Sequence, residues 1–194
     1  MSVPRRVVAG LLTAGLLALA MWLYTFKPHI QAKAQDPITT SGRIGAVVDN
    51  RDFSVKVDRV DVARSITKSS FPTPKVMRSP GLFMIVHLNI KSNQKPFQAG
   101  HVRLITRGGV TYDETGRAAI SAFGDGDHEP MLWAPTTYVF EIPPDRLAGA
   151  RLVVGGSALL NQLSAETSVD LGISGSEAAQ LSAHPAATYT LKTL

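Results

Sequence analysis

The sequence predicts an all-β domain, an antiparallel β-sandwich, preceded by one N-terminal transmembrane helix. Residues 7–26 are a run of 20 residues without charge, which is long enough to cross a bilayer as a helix. Residues 42–174 hold seven or eight short runs in which apolar and polar residues alternate, as they do in half-buried strands. No long amphipathic pattern follows residue 26, so a core built from helices is not expected.

The charge of the chain is concentrated near its start. The 194 residues carry a formal net charge of +5, with a sequence pI of about 9.7. Residues 1–34 contain four basic side chains and no acidic one, which leaves 16 of the 20 basic side chains against 15 acidic ones in the rest. The domain is therefore nearly neutral, which argues against nucleic-acid binding. The chain has no cysteine, which excludes disulfides, thiolate metal sites and cysteine nucleophiles.

The flanks of the apolar run predict its orientation. Two arginines precede it, so residues 1–6 are expected in the cytoplasm and the domain outside. Aromatic rings and a lysine mark its far end, where such side chains favour the membrane interface. The residues expected at the two interfaces are Arg5, Arg6, Trp22, Tyr24 and Lys27.

The same segment has a second interpretation, a signal peptide cleaved after Ala34. The sequence Ala32-Lys33-Ala34 has the small residues that a signal peptidase requires. A signal-peptide apolar region is usually about 7–15 residues long, shorter than this run, and this favours an uncleaved anchor. The expected location is thus the cell membrane, with a secreted protein as the alternative.

The first part of the domain follows a polar linker over residues 27–41. Strands are predicted at residues 44–48 and 53–57, and the alternation changes parity afterwards, which predicts a bulge near Asp58-Arg59. Residues 65–80 are rich in Ser, Thr, Lys and Pro and predict a loop.

The strongest strand is predicted over residues 82–90. Its beginning is apolar on both faces, which indicates a central position in a sheet. Residues 101–105 and 110–112 flank Gly108-Gly109, a pattern typical of a hairpin.

The last predicted strands cover residues 138–142, 150–154 and 168–173. Pro143-Pro144 ends the first of these, because proline cannot donate to a strand ladder. Residues 175–194 are rich in Ala and Ser and are expected to form a loosely ordered tail.

Several of these segments together resemble a known family. They are Gly42–Gly45 with Asp52–Val57, Gly81–Asn93, Val102–Tyr112 and Tyr138–Pro143. They resemble a family of bacterial, actinobacterial-type immunoglobulin-like extracytoplasmic domains of unknown function, whose fold is similar to that of the mycobacterial secreted immunoprotective antigen. The resemblance covers residues 42–155 and implies an exported immunoglobulin-like sandwich with no known activity.

The densest polar cluster precedes the domain's only tryptophan. Alternating Gly and Asp can supply oxygens to a hard cation, but the further acid of a calcium loop is missing, so a solvated loop is favoured over a metal site. Trp133 is either a core aromatic or an anchor for a partner. The candidate partner contacts are Asp125, Asp127, His128 and Trp133.

The sequence contains no pattern typical of catalysis. It has no Gly-x-Ser-x-Gly elbow, no phosphate-binding glycine loop and no histidines paired at metal-ligand spacing. No cofactor, metal or enzyme activity is expected. The function predicted is a membrane-anchored interaction or accessory module that binds a membrane-complex or envelope partner. The alternatives are a secreted ligand-binding protein cleaved after Ala34 and a cell-envelope hydrolase, since carboxylates paired in space are invisible in a sequence.

Overall fold

The computed structural model describes residues 3–25, 37–68, 75–115, 127–157 and 164–191. The chain divides into a unit over residues 1–36 and a unit over residues 37–194. The first unit contains helix α1 (Val3–Thr25), in which Trp22 and Tyr24 are exposed. Lys27 lies outside the described residues. In the part of the chain that the structure describes, no helix combines the length and the apolar character needed to cross a membrane.

The described residues of the second unit form ten strands, a 3₁₀ turn and a short helix. The 3₁₀ turn is Pro144–Arg146, and the helix α2 is Gly175–Ala183. The strands are β1 (Ile38–Arg43), β2 (Val47–Asp49), β3 (Phe53–Lys68), β4 (Lys75–Ser92), β5 (Ala99–Ile105), β6 (Thr111–Asp113), β7 (Ala134–Ile142), β8 (Arg151–Gly156), β9 (Ala165–Asp170) and β10 (Tyr189–Leu191).

The strands form two sheets, which makes the domain a β-sandwich as predicted. The first sheet has the order β1-β9-β8-β5-β6, and the second has the order β10-β3-β4-β7 with β2 also paired to β3. The prediction of an antiparallel sandwich is wrong at two edges, because β1 pairs in parallel with β9 and β10 in parallel with β3. Long stretches of chain separate these partners, so the hairpin connection that enforces antiparallel pairing does not apply to them.

The core lies between the two sheets. Alternate residues of β4, namely Met84, Val86, Leu88 and Ile90, belong to this core. A second buried cluster includes Phe83 and Ile85 on the opposite face of the same strand. β4 pairs with both β3 and β7, so the predicted central strand is confirmed.

Two predictions concern the long β3–β4 pair, and one of them is confirmed while the other is wrong. Its register shifts between Val57 and Arg59, where the change of parity predicted a bulge. The loop predicted over residues 65–80 is wrong at both ends, because β3 continues to Lys68 and β4 begins at Lys75. Ile66 pairs with Met77 there, and both side chains are buried, which holds these polar stretches in the sheet.

The ends of the domain are more ordered than predicted. β1 begins at Ile38, inside the predicted linker. The prediction of a loosely ordered tail is wrong for residues 175–191, which include α2 and β10. Ser174 caps α2 by accepting a hydrogen bond of 3.2 Å from the Glu177 N–H, an arrangement that the Ser-x-x-Glu spacing signals.

Candidate binding surface

Three consecutive apolar side chains project into solvent where the chain enters β7. Met131 is 74% exposed, Leu132 62% and Trp133 38%. We call residues 131–133 the apolar turn. Elsewhere in the described domain, the large apolar side chains that are exposed stand singly in the sequence: Ile38, Val47, Val76 and Val110. Trp133 is therefore not a core aromatic, and its two apolar neighbours Met131 and Leu132 are exposed as well.

Backbone hydrogen bonds hold the apolar turn against the end of β4. The Met131 N–H donates to the Ser92 carbonyl at 3.0 Å, and the Leu132 N–H donates to the Glu129 carbonyl at 3.4 Å. Met131 has a φ of +64°, a region that residues other than glycine rarely adopt. Surrounding structure must maintain such a conformation, so the backbone of the turn is held in place.

A lysine from β4 lies over the indole of the apolar turn. The Lys91 Nζ is 5.3 Å from the centroid of the Trp133 ring, a cation–π distance. The surface thus combines apolar area with a positive charge at its border.

His128 faces the interior of the domain. Its backbone exchanges two hydrogen bonds with Phe97, at 2.7 Å and 3.1 Å, and its ring packs against the Phe97 ring, which itself stacks on Phe53. The side chain is 5% exposed, and burial lowers the pKa of His128, opposed by the negative charge of Asp127. The expectation that His128 contacts a partner is therefore wrong, because strand-like pairing with Phe97 buries the residue.

Asp127 stays near the surface, whereas Asp125 lies outside the described residues. Asp127 lines a cavity of about 330 Å³, together with Asp52, Lys95, Phe97 and Ser157. Of the four predicted contacts, the structure thus leaves Asp127 and Trp133 accessible. Met131 and Leu132 were not among the predicted contacts, although three large apolar residues in a row after a polar loop are a signal in themselves.

A polar network crosses the second sheet around His87. Asp61 Oδ2 lies 3.0 Å from His87 Nε2, the Tyr189 hydroxyl lies 3.1 Å from the same nitrogen, and Thr137 Oγ1 lies 3.2 Å from Nδ1. Arg59 donates to Asp61 at 3.2 Å. Burial is the main cause that lowers the pKa of His87. The charge of Arg59 lowers it further, and Asp61 opposes the change.

The order of hydroxyl, imidazole and carboxylate in this network also occurs in hydrolases. Here the order is made by Thr137, His87 and Asp61 on three neighbouring strands, and the Tyr189 hydroxyl shares Nε2 with the carboxylate. The cavity beside Asp127 does not include any of them. The network cross-links neighbouring strands, and each ring nitrogen of His87 has a polar partner.

No group of three or more His, Asp or Glu side chains within the described ranges is arranged to hold a metal ion.

The comparisons with known proteins give two distant structural likenesses. No protein-family model and no curated protein matches the sequence. An uncharacterised β-sandwich protein from Clostridium difficile aligns with a TM-score of 0.43 and 10% identity, over 70% of this chain and 96% of its own. The yjhA protein from Bacillus subtilis aligns with a TM-score of 0.48 and 9% identity, over 66% and 99%. The sandwich is established here by the strand pairings of this chain itself.

Proposed function

We propose that this protein is an extracytoplasmic binding module, held at the membrane by its N-terminal segment, with no catalytic activity of its own. The exposure of the apolar turn carries the proposal. Contiguous exposed apolar side chains on a folded domain mark sites of interaction, whereas single ones are ordinary.

The composition of the apolar turn suits a protein partner. Tryptophan is enriched among the residues that dominate binding energy, and methionine is enriched at interfaces. The hydrogen bond from Met131 to Ser92 holds the backbone of the turn before binding, which reduces the backbone entropy lost on association. The partner we expect is a membrane-complex or envelope protein with an apolar depression, bordered by an acidic group that faces Lys91.

The sequence supports a location at the membrane. Residues 7–26 carry no charge, and Arg5 and Arg6 precede them. The resemblance to actinobacterial-type immunoglobulin-like domains favours an exported protein as well. The secreted form cleaved after Ala34 remains the alternative address, and it would present the same apolar turn.

The absence of cysteine from the sequence permits a direct test of the address. Full-length Ser2→Cys and Val110→Cys variants are treated in intact cells with a maleimide that cannot cross the membrane. We expect labelling at position 110 alone, on a chain of uncleaved mass in the membrane fraction. Labelling at neither position contradicts an external domain, and a mature chain that begins at Gln35 establishes the secreted form.

The contact is tested by crosslinking in native cells. A photoreactive phenylalanine replaces Leu132 in one full-length variant and Val110, an exposed residue outside the turn, in the control. We expect position 132 to give one discrete adduct with a membrane or envelope protein.

The adduct is then checked for specificity with Leu132→Asp, measured by binding to the purified partner. We expect a loss of about 30-fold in affinity, the change that accompanies a hot spot of about 2 kcal/mol. Val110→Asp should leave the affinity unchanged. Equal crosslinking from positions 132 and 110, or equal effects of the two aspartates, refutes the apolar turn as the contact.

A further inference from the structure

The first strand of the domain forms an edge of the first sheet. β1 pairs in parallel with β9 on one side, and no described strand follows it on the other side. Ile38 donates to the Ser164 carbonyl at 2.9 Å and Ile44 donates to the Asp170 carbonyl at 2.8 Å, so the even-numbered residues of β1 direct their backbone groups towards β9. Successive residues of a strand direct these groups to opposite sides, so the odd-numbered residues direct theirs away from the sheet.

The outward backbone groups of β1 belong to Thr39, Ser41 and Arg43. All three residues are exposed. The Arg43 carbonyl accepts a hydrogen bond of 3.1 Å from the Ala46 N–H. Within the described ranges, the other outward N–H and carbonyl groups of the strand make no backbone hydrogen bond. They form a row of donors and acceptors at strand spacing, which is the pattern that another strand recognises.

β1 lacks the features that protect the other described edges. β2, β6 and β10 contain three residues each. β7 contains Pro135, and the Thr115 N–H bonds to the Val139 carbonyl of β7 at 2.8 Å. β1 is six residues long, contains no proline, begins with the β-branched residues 38–40 and carries its only charge at its last position. Natural sheets protect exposed edges with short strands, charges or prolines, so this edge is suited to pairing.

A second copy of β1 fits the edge in an antiparallel register centred on Thr40. Thr39 of each copy then stands opposite Ser41 of the other copy, and each of these pairs exchanges two hydrogen bonds through the outward groups. The two Thr40 residues form the non-hydrogen-bonded pair between them, in which the Cα atoms are about 4.5 Å apart. Pairs of threonines are favourable at such positions.

The same register suits both ends of the strand. Arg43 stands opposite Pro37 of the second copy, and proline has no N–H to donate. The Arg43 carbonyl needs no donor from the second copy, because it already accepts from Ala46. The Arg43 N–H faces the Pro37 carbonyl as its acceptor. The arginines of the two copies lie at opposite ends of the pair, so like charges do not meet.

We propose that β1 is a homodimerisation edge, through which two copies of this chain pair antiparallel and join their first sheets into one. A pair of six-residue strands buries less surface than the roughly 1,200–2,000 Å² of a stable interface, so the dimer is expected to form reversibly. The inference does not involve residues 131–133, so it and the apolar turn stand or fail separately.

The absence of cysteine from the sequence makes disulfide linkage a direct test. Full-length Thr40→Cys protein, purified in a mild detergent, is treated with a mild oxidant, and linked dimers are followed by denaturing electrophoresis. The Cα separation expected for the central pair lies in the range of disulfides. The control is Val110→Cys, at an exposed valine between β5 and β6, on the opposite edge of the same sheet. We expect Thr40→Cys to link at least about tenfold faster.

Substitutions at Ser41 assign the linkage to the edge of β1. Ser41→Pro removes an N–H that makes no backbone hydrogen bond within the chain, and Ser41→Lys adds the kind of charge that protects natural edges. In the Thr40→Cys protein, we expect each to slow linkage by about tenfold or more. Ser41→Thr keeps the N–H and should leave the rate unchanged. Urea denaturation checks that the variants fold, and Ser41→Lys alone decides if the proline variant does not.

Equal linkage rates at positions 40 and 110 overturn the proposal. Linkage that persists unchanged in folded Ser41→Pro and Ser41→Lys proteins also overturns it, because another surface then brings the copies together. In intact cells, a photoreactive phenylalanine at position 41 should give an adduct of twice the mass of the chain. An adduct with a different protein in place of this dimer overturns self-pairing.

Discussion

His87 and Tyr189 are 102 residues apart in the sequence, and their side chains lie 3.1 Å apart across the second sheet. Tyr189 belongs to β10, the last strand of the domain, and β10 pairs with β3 through only three residues. The imidazole thus connects β10 by side chains to the centre of the sheet. Asp61 and Thr137 extend the same connection to β3 and β7.

The Tyr189 hydroxyl is expected to stabilise the docked end of the chain. Tyr189→Phe removes the hydroxyl that bonds His87 and also interacts with Arg59, and it should lower the free energy of unfolding by about 1 kcal/mol or more. Urea denaturation measures this change, and amide exchange should become faster in residues 189–191. Tyr112→Phe, at a tyrosine of the first sheet, is the matched control. Equal effects on amide exchange in β10 from both variants would contradict a specific role of Tyr189.

The stability of the domain should fall as the pH falls below about 6.5, the ordinary histidine pKa. Burial lowers the pKa of both His87 and His128 in the folded state, so the unfolded chain binds more protons in this range. The stabilisation is complete above the unfolded pKa and is lost as the pH falls through the folded values. The charged groups beside His87 are Arg59, Asp58 and Asp61.

Urea denaturation at a series of pH values measures this dependence, with His184→Gln, at an exposed helix end, as the control. The double variant His87→Gln, His128→Gln should flatten the profile between pH values of about 5 and 7. A wild-type profile that is already flat over that range would refute the assignment.

The carboxyl of Asp49 should titrate higher when its hydrogen bonds are removed. Ser54 donates to it, and Asn93 donates to it at 2.8 Å. These two hydrogen bonds lower the pKa of Asp49, and the one from Ser54 has the larger effect. Carboxyl carbon resonances followed against pH should therefore show a larger rise in Ser54→Ala than in Asn93→Ala. Ser79→Ala, which removes a hydroxyl bonded to Glu141, is the control and should not move the Asp49 titration.

Gly81 should not accept a side chain. A Cβ at this position would lie 2.5 Å from the carbonyl oxygen of Ile142, and backbone of a paired strand cannot easily move away. We expect Gly81→Ala to lower the free energy of unfolding by about 2 kcal/mol or more. Gly175→Ala is the matched control, because its Cβ would meet open space at the start of α2, and alanine favours the helix. Equal stability of the two variants would contradict the close approach.

The central strand and the bulge were predictable because local patterns encode them. Residues 82–90 show apolar positions on both faces, and the change of parity after Val57 appears directly in the letters. β10 was not predictable in this way. Three residues carry no usable periodicity, and the strand forms because β3 offers an open edge.

The same contrast between local patterns and long-range contacts applies to the apolar turn and the open edge of β1. The exposure of Trp133 depends on the turn at Met131, whose positive φ has no sequence signature when glycine is absent. The open edge of β1 depends on its pairing with β9, which lies far away in the sequence. The residue pattern therefore identified the polar loop and Trp133 as candidate contacts, but it did not indicate how their side chains are oriented.

The pairing of β1 with β9 has a consequence for how the chain completes its fold. Ile38 is opposite Ala165, so the first strand of the domain meets its partner only after 127 further residues have been made. Contacts between residues so far apart slow folding, because a long loop must close before any pairing energy is gained. During synthesis from the N-terminus, β1 therefore remains unpaired until β9 has been made. Any factor that shields it in that interval would improve the yield of native protein more than it would change the stability of the finished domain.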